Sequence, residues 1–255
     1  MKPQHLIAVL LIAALIAVDA AALLALQLSD DNWPHLASIV ALGLAFGQTN
    51  LAAAYFVFGR ANIALRGAAL ILITVAMGYL GDQATGKTPS DLAVWWNIML
   101  ACSAPLVAAA TVARWLGFRI VHESEPPDER PLQFSIGWLL SLTTAAALLF
   151  GVGRYLELPP EELPAVILFC LGINLVPLLC MSCVFGLRHW WLRVGLPAVI
   201  CPQFGVLLAF TGLPPPEDYI PLGIMTGLQG ICILAACAAL RLAGYRLVMR
   251  TWSEG

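Results

Sequence analysis

The chain reads as an all-α integral membrane protein whose eight transmembrane helices form a tandem 4+4 parallel repeat. Three observations lead there. Long apolar runs recur along the chain, its basic residues gather in alternate loops, and a motif that opens at Arg114 returns at Arg241.

With 60% hydrophobic and 11% charged residues, the composition lies far from the roughly 25% charged residues of soluble domains. A bilayer core about 30 Å thick takes some 20 apolar residues in a helix, the form that pairs every backbone amide internally. That criterion marks spans at Leu6–Leu28, Leu36–Phe58, Ala61–Leu80, Leu92–Leu116, Phe134–Gly153, Leu163–Leu187, Leu192–Leu213 and Tyr219–Leu240. The first resembles a secretory signal, but Leu6–Leu28 is longer than a usual hydrophobic region and no clean small-x-small site precedes Ser29–Asp31. It is kept as a span. The third holds Arg66, which on this reading must carry its guanidinium back to the headgroups.

Orientation follows from the excess of Lys and Arg on cytoplasmic loops. With the N-terminus in the cytoplasm, 11 of the 13 basic residues fall inside, leaving only Lys87 and Arg154 outside among most of the loop carboxylates. Both termini are then cytoplasmic, in a plasma (inner) membrane. Seven or nine spans would scramble this segregation. A net charge of −2 and the lack of a basic run in a polar context set nucleic acid aside as a partner. Loops are short, so any function is housed in or at the membrane.

The longest polar interruption, Arg114–Gln133, divides the chain into residues 1–127, a four-helix unit plus cytoplasmic linker, and residues 128–255, a second four-helix unit. Its opening R-W-L-G-F-R-I-V at Arg114–Val121 returns as R-L-A-G-Y-R-L-V at Arg241–Val248. The same offset pairs Phe58-Gly59 with Phe185-Gly186, Leu65-Arg66 with Leu192-Arg193, Gly78 with Gly205, Pro89 with Pro216 and Asp91 with Asp218. Matches of Leu with Leu in apolar runs carry no weight, whereas charged, Gly and Pro coincidences at one register point to duplication. Four spans per half is an even number, so both halves insert the same way up, and the expected symmetry is a pseudo-two-fold along the membrane normal.

The segment Gln133–Arg154, QFSIGWLLSLTTAAALLFGVGR, resembles the F-S-x-x-x-L-L-x-L-T-T run that opens a span in many uncharacterised bacterial multi-pass proteins. The resemblance covers that segment alone and implies no activity.

Candidate solute-binding residues are the polar groups and helix breakers at membrane depth. Asp19 is the sole carboxylate inside a span, and an isolated charge there costs about 2.5 to 3.5 kcal/mol on insertion scales. It therefore faces a polar partner or water. Its offset counterpart is Ala146, so its role is not two-fold. Gln48, Thr49 and Asn50 lie mid-span behind Gly43 and Gly47, and Asn174 and Pro177, with Gly172, stand at nearly the same depth one repeat away. Polar groups and breakers at matching depths of two halves mark mid-membrane sites in duplicated transporters. The plainer reading is interhelical hydrogen bonding that holds helices together. Pro105, Pro197 and Pro202 are expected to kink the fourth and seventh spans.

The seven cysteines all fall in apolar runs and form no disulfide framework. Cys180 and Cys183 form a C-x-x-C on one helix face, where the packing role outweighs redox or Cu(I) chemistry. The four histidines stand at span ends, which argues against a membrane haem and against an intramembrane metal site. No cofactor and no catalytic set is expected. Trp95-Trp96 and Trp190-Trp191 read as interfacial belts. The expected function is binding or transport of a small solute at a mid-membrane polar site, the alternative being a scaffold or accessory subunit that docks a membrane protein partner. The bilayer is a partner on either reading.

Overall fold

A computed structural model describes residues 3–28, 36–59, 61–85, 92–122, 163–210 and 219–249. The elements are α1 (Pro3–Leu28), α2 (Leu36–Phe58), α3 (Ile63–Thr85), α4 (Leu92–Trp115), β1 (Phe118–His122), α5 (Leu163–Gly186), α6 (Trp190–Ala209), α7 (Tyr219–Leu242) and β2 (Tyr245–Met249). The expected fifth span Phe134–Gly153, the Gln133–Arg154 segment and the rest of the linker lie outside the described residues. Seven described helices are long and apolar enough to cross a bilayer. This is the architecture of a multi-pass membrane protein.

Helix α2 is the centre of the bundle. It packs against α1, α3, α4 and α7, and 78% of its apolar window is buried, against 6% in α1. Glycines make this closeness. A Cβ on Gly43 would lie 2.8 Å from the Met225 carbonyl oxygen and 2.9 Å from Leu228 Cβ, and one on Gly47 would lie 3.0 Å from Cys232 Cβ. Gly43-x-x-x-Gly47 is thus a small-residue seam that admits the α7 backbone, a device suited to lipid, where packing replaces the hydrophobic drive between helices. Helix α7 in turn packs against α5 and α6, and α5 touches α4 to close the bundle.

The elements keep the spacing read from the chain. Helices α5, α6 and α7 begin at Leu163, Trp190 and Tyr219, the positions that the Arg114-to-Arg241 offset assigns to Leu36, Ile63 and Leu92, where α2, α3 and α4 begin. The same shift carries Phe118, at the start of β1, onto Tyr245, at the start of β2. Contacts follow suit. Gly78 of α3 seats the Trp96 ring of α4, while Gly205 of α6 seats the Leu222 and Thr226 turns of α7.

The motif R-x-x-G-x-R has a structural meaning that spacing alone did not reveal. Gly117 and Gly244 adopt φ of 96° and 88°, the left-handed form that ends a helix, and their amides bond back to the Arg114 and Arg241 carbonyls. Each chain then turns into a strand. β1 and β2 pair antiparallel with Ile120 opposite Leu247 at the centre and Phe118 opposite Met249 at one end. An all-helical reading missed this ribbon, although F-R-I-V-H and Y-R-L-V-M carry the alternation and β-branched content of strands. Alternation puts Phe118, Ile120, His122, Tyr245 and Leu247 on one face, and Leu247 packs against the α5–α7 core.

Arg66 serves the end of the neighbouring helix α2. Helix α3 starts at Ile63, so Arg66 sits in its first turn, and its Nη1 donates to the Phe56 carbonyl at 2.6 Å and the Val57 carbonyl at 3.3 Å. Arg114 donates to Val57 as well. In the other half Arg241 donates to Val184 at 2.9 Å and Phe185 at 3.1 Å, and Arg193 donates to Leu187 at 2.7 Å and Arg188 at 2.9 Å. The C-terminal carbonyls of α2 and α5 have no partner within their own helices, and the negative dipole end attracts cations. Two arginines therefore serve each of these helix ends.

The two Trp95-Trp96 side chains do more than mark an interface. Trp95 donates to Thr85 Oγ1 at 2.9 Å and Trp96 to the Val75 carbonyl at 3.1 Å, locking α4 to α3. Trp190 and Trp191 are exposed, as a belt requires.

Candidate functional site

Each expected site residue is placed by a described helix, and a hydrogen bond joins Asp19 to Gln48. Asp19 of α1 accepts a hydrogen bond from Gln48 Nε2 of α2. The contact is the polar anchor of an otherwise lipid-facing helix, whose Ala22 is its one buried hydrophobic residue among those described. Asp19 thus has the polar partner that its depth demands.

Thr49 and Asn50 come next along the chain. Thr49 Oγ1 reaches Met99 Sδ of α4 at 3.8 Å, and Asn50 is 2% exposed, with Nδ2 buried and without a partner. Across the bundle, Asn174 of α5 donates through Nδ2 to the Cys102 and Cys170 carbonyls, and its Oδ1 is buried without a partner. Pro177 is fully buried beside it on α5, which continues through the proline as one helix. Helices α4 and α6 likewise run on through Pro105, Pro197 and Pro202.

The sequence reading overlooked Gln229 and Thr226 of α7, both fully buried. Gln229 Nε2 donates to the Ile173 carbonyl at 3.1 Å, and its Oε1 has no partner. The backbone of Gln229 also lies against Gly47, its carbonyl 3.4 Å from where a Cβ would stand. Gln229 therefore sits between Gly47 of α2 and Ile173 of α5. The signal for it was present: T-G-L-Q-G sets an amide behind glycine mid-span, as F-G-Q-T-N does.

Three helices thus each carry a buried amide atom without a hydrogen-bond partner: the donor Asn50 Nδ2 and the oxygens Asn174 Oδ1 and Gln229 Oε1. A buried polar atom without a partner costs about 1–3 kcal/mol.

The cysteines behave as packing residues. Cys180 meets Cys201 of α6 at 3.7 Å rather than its C-x-x-C neighbour Cys183, and Cys102 meets Cys170 at 3.7 Å. Among the described residues no group of three His, Cys, Asp or Glu side chains could hold a metal ion.

A separate cavity of about 300 Å³ lies toward the arginine-rich end, between α2, α5, α7 and the ribbon. Its walls include Leu51, Tyr55, Met181, Cys237, Leu240 and Tyr245. It lies between the second and sixth expected spans, and the side chains that line it are mostly apolar. Compared with protein families, curated proteins and solved structures, the chain has no match.

Proposed function

We propose that this chain is a duplicated membrane bundle that binds, and carries across the bilayer, a small polar solute held at mid-membrane by Asn50, Asn174 and Gln229. The observation that carries this reading is the set of three buried amide atoms left without partners on α2, α5 and α7. Structural glue would spend that capacity on neighbouring helices, as Asn174 does with its donor on the Cys102 carbonyl and Gln229 does with its donor on the Ile173 carbonyl. Gln48 and Asp19 form the flank through which α1 joins the site, and a carboxylate at this depth is suited to proton exchange coupled to solute movement.

Duplication, as residues 1–127 and 128–255 with four spans each, is supported by the shared offset of helices, turn glycines and capping arginines, and by the ribbon's register. Its central pair, Ile120 opposite Leu247, joins residues one offset apart, as a two-fold axis through the pair would require. The arginine-rich end is cytoplasmic by the positive-inside bias, with both termini on that side of a plasma (inner) membrane. The solute is neutral or zwitterionic, because the waist offers amides and no cationic side chain from the described helices.

The purified full chain, heated in the presence of polyols, small amides and zwitterionic amino acids, tests the reading. The expected outcome is that at least one such solute raises the Tm of the wild type and leaves Gln229→Met unmoved. A panel in which nothing protects the wild type more than Gln229→Met contradicts it. A scaffold that docks a membrane partner is the reading that would then take its place.

A further inference from the structure

Packing explains why the cysteines are buried, but not why two of them meet across helices with room made for both. Cys180 of α5 and Cys201 of α6 lie in one buried cluster, sulfur against sulfur at 3.7 Å. Gly230 of α7 provides the room. A Cβ there would lie 2.9 Å from Cys201 Sγ, and the Gly230 carbonyl oxygen stands 3.7 Å from Cys180 Sγ. Three helices thus present two thiols and one carbonyl oxygen at a single point in the core.

More sulfur leads toward that point. The cavity between α2, α5, α7 and the ribbon carries Met181 and Cys237 in its wall, and both belong to the cluster that holds Cys180 and Cys201. Apart from the phenols of Tyr55 and Tyr245, the remaining lining is apolar. Thiolate and thioether are soft, polarisable ligands that select Cu(I) over harder ions. A closed-shell monovalent ion of this kind is satisfied by two thiolates, where zinc takes a tetrahedral set. The three-residue His, Cys, Asp or Glu group that the described residues lack is therefore not required. Binding exchanges two S–H protons for one Cu(I), with no electron transferred, and leaves one net negative charge on the bis-thiolate complex.

We propose that Cys180 and Cys201 bind one Cu(I) ion between α5 and α6, seated against Gly230 of α7. The site shares no residue with the amides of Asn50, Asn174 and Gln229, and its ligands differ from theirs in kind: soft sulfur for a metal ion instead of amides for a polar solute.

The test uses the full chain in detergent, kept reduced with ascorbate and titrated with Cu(I) against the competing chelator bicinchoninate. The wild type is expected to take up one equivalent of copper more than Cys180→Ser or Cys201→Ser, and to show sulfur-to-copper charge-transfer absorbance that each variant loses in step. Cys183→Ser, which alters the C-x-x-C but not the pair, is expected to keep the full uptake. Cys201→Ala serves should the hydroxyl of Cys201→Ser prevent folding. Equal uptake by the wild type and a pair variant that folds overturns the proposal, as does an equal loss in Cys183→Ser. A wild type whose Cys180 and Cys201 are recovered as a disulfide and take no copper overturns it too. Because Asn50, Asn174 and Gln229 are untouched, failure here leaves the polar-solute reading standing.

Discussion

Single residues in this bundle are held by what they pair with rather than by their own hydropathy. Asp19 and Gln48 illustrate it, because each is costly in a span alone and each satisfies the other. Asp19→Asn keeps an acceptor for Gln48 and is expected to change stability by no more than about 0.6 kcal/mol. Asp19→Leu orphans the Gln48 amide and is expected to cost about 1–3 kcal/mol, recovered largely in Asp19→Leu/Gln48→Leu. Thermal unfolding of the four proteins in one detergent checks the cycle. A loss that the double variant does not recover would mean that the pair is not coupled. Glycines obey the same logic of neighbours. Gly43→Ala must push into the Met225 carbonyl and Leu228, and an overpacked contact of that kind costs about 1–3 kcal/mol. Gly195→Ala meets nothing within 4 Å and should unfold as the wild type does. Asp19 and Gln48 were visible in the sequence as polar residues at depth, yet their contact was not, because pairing depends on how α1 rotates against α2. Gln229 was passed over because it stands alone in its run, whereas Gln48-Thr49-Asn50 announces itself as a cluster.

At the scale of elements, the span positions were legible because lipid enforces them: helices α2, α4, α5 and α7 start at the residue their hydropathy indicated. Helix α3 differs because Asn62 caps its start, its Oδ1 accepting from the Ala64 amide at 2.9 Å. The ribbon was not legible, because short strands just past a helix carry a weak pattern and their pairing joins residues far apart in the chain. Its entry depends on two left-handed glycines. Gly117→Ala and Gly244→Ala are each expected to destabilise by about 1–2 kcal/mol, with Gly244→Ala the worse because its Cβ would meet His122 Nε2 at 3.1 Å. The arginine caps make a related expectation. Arg114→Met removes a cation from the α2 C-terminus and should cost about 1 kcal/mol, less at high salt. Equal loss at low and high salt would assign the effect to packing of the stem instead.

At the scale of the whole molecule, one offset relates several described elements. Helix starts, turn glycines and capping arginines recur at the spacing that separates Arg114 from Arg241, while the polar waist does not. At that offset Asn174 stands where α2 has Gly47, and Gln229 stands where α4 has Cys102. On the proposed duplication, a frame with divergent contents suits a site at the axis, where each half supplies different groups. Reporter fusions at Pro127, Glu161 and Gly255 should read cytoplasmic, external and cytoplasmic, and any other pattern contradicts four spans per half. The claim that the waist binds a solute requires that it open to water, and cysteine labelling in intact membranes tests this most directly. The seven native cysteines are all buried, so the wild type is the blank. Asn50→Cys should react with a charged methanethiosulfonate reagent, while Ala53→Cys, fully buried one turn away, should not. An Asn50→Cys thiol as inert as that at position 53 would mean a waist closed to water, and the amides there would be glue between helices.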